Sequence, residues 1–244
     1  MAPILFAFLV IVFWEIIPLW FSVPSYVFPR LSSIAASTWA AKELLEVHFV
    51  TTFLESASGF ALGSIIGFVV GLLMAESRLF SRIMLPYVIG SNSIPVVAIA
   101  PLIILWFGHG IFSKIVLSAF LCFFPLCINC YKGLNEYDVL YEELFRIYGA
   151  NKVEFLIRFK LPNSIPFIFV GLKLNATFSV IGAIVAEFVG ANAGLGFGML
   201  QASYNLNTPR LWGYLIVSCL LGMSMYLVIV LVEKYMLNRH SYSH

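Results

Sequence analysis

Between Ser56 and Ala75 the chain carries no Asp, Glu, Lys or Arg, and the same holds from Ile83 to Ser113, Ile115 to Tyr131, Phe188 to Pro209 and Leu211 to Val232. A helix needs about 20 apolar residues to cross the hydrocarbon of a bilayer, so each run is long enough for a crossing. One compact soluble domain of this length has too little interior to bury all of them. Composition agrees: 61% hydrophobic against 11% charged residues excludes a soluble globular domain. A net charge of +2 with 23 Phe, 11 Tyr and 5 Trp excludes a disordered chain. The reading is an all-α, polytopic membrane protein with about six transmembrane helices: Pro3 to Phe21, Phe53 to Ala75, Ile83 to Phe107 with a break, Phe112 to Tyr131, Ile165 to Val189 and Leu211 to Tyr235. The first has no basic residue before it, carries Glu15 and lacks a small-residue cleavage site, so it reads as a retained anchor. Residues 1–50 then form that anchor and an outer linker, 51–237 the main transmembrane domain, and 238–244 a short tail.

Basic residues orient the chain, because cytoplasmic loops carry the excess of Lys and Arg. With the amino terminus inside, nine fall on the cytoplasmic side (Arg78, Arg82, Lys132, Arg146, Lys152, Arg158, Lys160, Lys234 and Arg239). Four fall outside (Arg30, Lys42, Lys114 and Arg210), and Lys173 lies within the fifth span. Both termini are therefore expected in the cytoplasm. Cys122, Cys127, Cys130 and Cys219 sit in apolar runs and imply helix packing rather than a disulfide framework. The four histidines show no metal spacing, and no catalytic constellation is visible.

Within the second span, Gly59, Gly63, Gly67 and Gly71 recur every four residues and line one helix face, which predicts close approach of another backbone. The third span holds Pro86, Pro95 and Pro101; each removes an amide donor and crowds the carbonyl four residues earlier, so that helix is expected to break. Broken backbone at membrane depth is tolerated only against protein or a wet cavity. Asn92, Ser93 and Pro95 are accordingly candidates for a translocation pathway, with simple kinking as the alternative. Asn175, Thr177 and Ser179 are polar at membrane depth and either line that pathway or bond a neighbouring helix. Glu187, near the outer end of the fifth span, reads equally as a gate or as half of a structural pair, with Lys173 a partner only if another chain brings it near. Glu15 and Glu55 are expected to snorkel or cap near the ends of their spans.

Gly133 to Ser164 is the one long polar segment, with nine of the 26 charged side chains. Tyr141 to Tyr148 is helix-forming and amphipathic, Gly149 stops it, and a second short helix from Asn151 to Phe159 is expected to end before Pro162. Two short helices about a glycine corner make a protrusion suited to docking a soluble partner; a helix lying in the lipid interface is the alternative.

This segment resembles the cytoplasmic signature of the membrane subunits of type I ABC importers: Glu-Ala-Ala, three residues, Gly, nine residues, then Ile-x-Leu-Pro. Here the frame reads Glu143-Leu144-Phe145, three residues, Gly149, nine residues, Phe159-Lys160-Leu161-Pro162. Leu144 and Phe145 stand for the two alanines and Phe159 for the isoleucine, which implies a bulkier docking surface. The stretches Pro95 to Gly108, Ser113-Lys114-Ile115, Phe123-Phe124-Pro125, Ala186 to Gly190 and Gly194-Leu195-Gly196 are similar to the branch importing nitrate, alkanesulfonates, taurine and pyrimidine-type vitamin precursors. Asn92 to Pro95 and Asn205 to Pro209 lean toward the thiamine-pyrimidine and riboflavin-precursor permeases.

The resemblance implies a MetI-like type I ABC importer permease fold. It also implies that Glu142, Glu143, Arg146, Gly149, Ala150, Leu161 and Pro162 couple the chain to an ATPase. None of the seven lysines follows a glycine, so the phosphate-binding loop of an ATPase is absent and no cofactor is expected on this chain. ATP and Mg would belong to two partner ATPase subunits. A second permease copy, an external solute-binding protein and the bilayer of a bacterial inner membrane complete the expected partners, with no nucleic acid. A channel or secondary transporter working alone is the competing expectation. Against it stand the lack of an internal repeat and the distinctive cytoplasmic loop.

Overall fold

The computed structural model describes residues 2–91 and 94–241. Its order is α1 (Ala2–Trp20), α2 (Leu31–Ala40), α3 (Lys42–Glu76), α4 (Arg78–Ser91), α5 (Val96–Phe107), α6 (Ile111–Asn135), α7 (Val139–Ile147), α8 (Lys152–Phe155), a π-turn (Leu156–Lys160), α9 (Leu161–Gly190), α10 (Leu195–Tyr204) and α11 (Thr208–Ser241). Among the described residues there are no strands. By length and composition α3, α6, the helical run Lys152–Gly190 and Thr208–Leu237 of α11 can each cross a membrane; α4 and α5, bent by 105° to one another, pass the same test only as a pair, which is the pattern of a broken span or a re-entrant loop. The bend agrees with the break expected near Pro95, whereas α4 and α5 run on through Pro86 and Pro101; Asn92 and Ser93 lie outside the described residues.

Helix α6 is the axis of the core, held between α3 and α9 by small residues. All four glycines of the stripe face it. A Cβ on Gly59 would collide with Ser118, one on Gly63 with the Ala119 carbonyl, one on Gly67 would sit 2.5 Å from the Phe123 carbonyl, and one on Gly71 2.7 Å from that of Cys127. From the other side, a Cβ on Gly171 of α9 would lie 2.8 Å from Leu126 Cδ1 and one on Gly182 2.7 Å from Ser118 Cα. With little hydrophobic drive between helices in lipid, such backbone contact supplies the dispersion energy that holds the bundle. Interhelical hydrogen bonds add to it: Ser118 Oγ donates to the Ser179 carbonyl at 2.9 Å, and Asn175 Nδ2 to Ser64 Oγ at 2.9 Å.

Several boundaries differ from expectation. Helix α3 starts at Lys42 instead of Phe53 and runs 35 residues, about 52 Å at 1.5 Å per residue, so its first turns extend past the hydrocarbon. The linker after α1 contains α2, whose second amide, that of Ser32, is capped by Glu15 at 3.1 Å; the capping half of the Glu15 expectation holds. Trp14 locks this corner, stacking on Phe28 at 5.2 Å, meeting Trp212 of α11 edge-on and donating its indole N–H to the Pro29 carbonyl. The helix beginning at Asn151 does not end before Pro162. It passes through the π-turn straight into α9. The reason is local: the Leu161 amide reaches back five residues to the Leu156 carbonyl, and the widened turn gives Pro162 room where its ring would otherwise meet the carbonyl four residues earlier.

Candidate functional site

Two places concentrate chemistry, one in the polar segment between α6 and α9 and one at the opposite end of the bundle. In the first, Asp138 caps α7 by accepting from the Leu140 amide at 3.0 Å. The helix ends in a Schellman motif: the Ala150 amide donates to the Phe145 carbonyl and the Gly149 amide to that of Arg146, each at 3.0 Å, with Gly149 at φ +76°. Asn151 and Glu154 then form a reciprocal capping box at 2.9 Å that starts α8.

Beneath this corner lies an aromatic cluster. Phe155 and Phe159, four residues apart across the π-turn, stack at 5.3 Å; Tyr137, Tyr141 and Phe145 close around them. Lys160 crosses the cluster, 5.4 Å over the Tyr137 ring, and pairs with Glu76 at the end of α3 at 2.8 Å. Burial holds the Tyr137 phenol above its ordinary pKa, so it stays protonated and donates to Glu142 at 3.1 Å. Phe145 is turned inward into this cluster, so only Leu144 enlarges the outer surface. No residue of α7 is buried: Leu140, Leu144, Ile147 and Tyr148 project as an uncovered apolar face, Ile147 and Tyr148 each 82% exposed. Glu142, Glu143, Arg146 and Gly149 are exposed alongside them, Ala150 is half-buried, and Leu161 and Pro162 stand at the base of α9.

At the other end, His48, Thr52 and Glu55 of α3, Lys114 of α6 and Glu187 of α9 are all buried. Thr52 Oγ1 donates to Glu187 Oε1 at 2.6 Å, and Glu187 Oε2 accepts from the Gly196 amide at 2.5 Å. Lys114 is not in an outer loop, as its sequence position suggests; its Nζ donates to the carbonyls of His109 (2.5 Å), Gly110 (3.2 Å) and Gly190 (2.6 Å). Glu55 does not snorkel either, since its Oε2 is buried without a hydrogen-bond partner.

The remaining sequence candidates separate. Glu187 is fully buried with donors on both oxygens, and Lys173 bonds Glu233 of α11 instead, at 3.0 Å. Asn175 is fully buried between α9 and α3, and Ser179 is buried as well. Thr177 is exposed and lines a groove of about 540 Å³ with Val180 and Ile184 of α9, Met199 of α10, and Ser218 and Tyr226 of α11. Pro95 is exposed at the start of α5. Among the described residues, no group of three or more His, Cys, Asp or Glu is arranged to hold a metal ion.

Comparison with known proteins gives this architecture its context. The chain is 34% identical to the formylaminopyrimidine transport permease ThiX of Halalkalibacterium halodurans, covering 96% of this chain and 94% of that protein. It is 32% identical to a probable ABC transporter permease of Haemophilus influenzae (92% and 91%) and 31% identical to the riboflavin transport permease RibX of Chloroflexus aurantiacus (93% and 85%). A solved structure of the MetNI methionine ABC transporter in an inward-facing conformation superposes with a TM-score of 0.71 at 19% identity, over 80% of this chain and 97% of that one, which shows a shared fold. Residues 47–238 match the profile described as binding-protein-dependent transport system inner membrane component, and the chain belongs to that family.

Proposed function

We propose that this chain, the membrane-spanning permease subunit of an ABC importer, receives a pyrimidine-type vitamin precursor from its binding protein and is driven through the Gly133 to Ser164 segment. The permease assignment itself follows from family membership. As an importer permease it is a translocation subunit of the inner membrane that works with separate ATPase subunits and a solute-binding protein. Orientation with both termini in the cytoplasm, pairing of two identical copies, and division at residues 50 and 237 belong to the proposal. So do the roles of single residues.

The substrate class is carried by one observation, the 34% identity to a formylaminopyrimidine permease over nearly the whole of both chains. The coupling role is supported by the bare face of α7. A helix that buries none of its own residues and exposes Leu140, Leu144, Ile147 and Tyr148 needs a partner to cover them. Glu142, Glu143 and Arg146 rim that face; Gly149 and Ala150 fix its angle; Leu161 and Pro162 join it to α9. Movement of the loop then reaches the bundle as rigid-body motion of α6 and α9, the helices it links. Of the pathway candidates among the described residues, Thr177 and Pro95 are the exposed ones and carry that role in the proposal.

The test is reconstitution in vesicles with its ATPase and its binding protein. Formylaminopyrimidine loaded on the binding protein should stimulate ATP hydrolysis and uptake, with riboflavin and taurine giving neither. Stimulation by taurine alone would overturn the substrate class.

A further inference from the structure

The α9–α10 corner is fastened in a way its sequence does not advertise. The first amides of a helix have no partner within it, and at α10 three successive ones, those of Gly194, Leu195 and Gly196, each end on a buried side chain of another helix. Gly194 donates to His48 Nδ1 at 3.0 Å, Leu195 to Thr52 Oγ1 at 2.7 Å and Gly196 to Glu187 Oε2 at 2.5 Å. Two acceptors lie one turn apart on α3 and the third on α9. Thr52 is the hinge pin: its hydroxyl accepts from Leu195 and donates to Glu187, so one atom joins three helices. The glycines are required by the fit. Gly194 has φ +119°, and a Cβ there or on Gly196 would strike the Glu187 carboxylate. Lys114 completes the fastening by tying the last carbonyl of α9, Gly190, to the α5–α6 corner.

We infer that Thr52 and Glu187 are positioning residues that make the ends of α3, α9 and α10 move as one body, so that force entering through the cytoplasmic loop moves the wall of the substrate route. Helix α10 contributes Met199 to the 540 Å³ groove beside Thr177. Freeing α10 from α3 lets that wall shift independently of the lever. The inference rests on the permease reading, which binding-protein-stimulated hydrolysis by the unaltered complex tests separately.

The experiment compares Thr52→Val, Thr52→Ser and Glu187→Gln in the reconstituted complex, scoring molecules taken up per ATP hydrolysed. Val keeps the shape of Thr52 and removes both bonds. Uptake per ATP should fall about tenfold, the effect of one buried amide left without an acceptor, while hydrolysis without binding protein stays within about twofold. Thr52→Ser should restore the ratio, and Glu187→Gln, which cannot accept on both sides, should lower it. An unchanged ratio in Thr52→Val, or an equal fall in Thr52→Ser, overturns the inference. Loss of both Thr52→Val and Glu187→Gln from the membrane would assign the cluster to folding alone and overturn it as well.

Discussion

Gly67 offers the most direct test of how the bundle is held. A Cβ there would lie 2.5 Å from the Phe123 carbonyl oxygen, where ordinary contact begins at 3.4 Å, so α6 would have to retreat by 0.9 Å. It has nowhere to go. On its far side a Cβ on Gly182 would already be 2.7 Å from Ser118 Cα, and one on Gly171 2.8 Å from Leu126 Cδ1. Overpacking a tight core by one carbon costs about 1–3 kcal/mol. Against this stands the gain in helix propensity of Gly→Ala, about 1 kcal/mol at most. The balance leaves Gly67→Ala destabilised by up to about 2 kcal/mol, a fall in Tm of up to about 8 °C for a chain of this size. Gly222 of α11 is the control: a Cβ there meets nothing within 4 Å, so Gly222→Ala should hold or raise the Tm. Thermal unfolding in detergent, followed by near-ultraviolet circular dichroism, reads both. Equal shifts in the two variants would refute close backbone approach as the source of stability.

Gly149→Val places a β-branched residue at φ +76°, costing about 1–2 kcal/mol locally. Membrane insertion should be unchanged while stimulation of ATP hydrolysis is lost; retained stimulation would argue against the α7 corner as the coupling element. Lys173→Met breaks the half-buried pair with Glu233 and should cost about 3 kcal/mol, whereas Lys173→Met with Glu233→Leu should return to within about 1 kcal/mol of the parent. Denaturant titration in micelles separates these, and a double variant as weak as the single would contradict a paired role. Phe155→Ala empties the middle of the aromatic cluster, a loss of about 3 kcal/mol. Hydrogen exchange should rise between Tyr137 and Lys160 and stay unchanged in α6; uniform exchange across both would show that the cluster is not an independent unit.

How much of this the sequence carried depends on the range of the interaction. Four of the six expected spans were legible because absence of charge over about 20 residues is a local property, and lipid reads it locally; the first stretch qualifies only as a shorter apolar helix, Phe8–Trp20. The glycine face was legible because residues four apart share a side of any helix, whatever packs there. The Schellman corner at Gly149 was equally local, since its bonds span only a few residues. Glu55 was misjudged through a boundary: with α3 starting at Phe53 it stands at the helix mouth, but with the true start at Lys42 it is deep inside the bundle. Lys114 looked like a loop charge because nothing nearby in sequence shows that its long stem lets the ammonium gather three carbonyls, one of them 76 residues away. The π-turn escaped because Pro162 signals a stop, and the one-residue widening that lets the Leu161 amide reach the Leu156 carbonyl leaves no mark in the periodicity. The cluster at α10 was out of reach of any window: Gly194-Leu195-Gly196 has no helical periodicity, and two of its acceptors stand 146 and 143 residues earlier. Buried polar groups must find partners wherever the chain brings them. A chain whose surface is given to lipid therefore hides its most specific contacts in its few interior polar side chains, and Thr52, with no charge and no motif to mark it, joins three helices through a single hydroxyl.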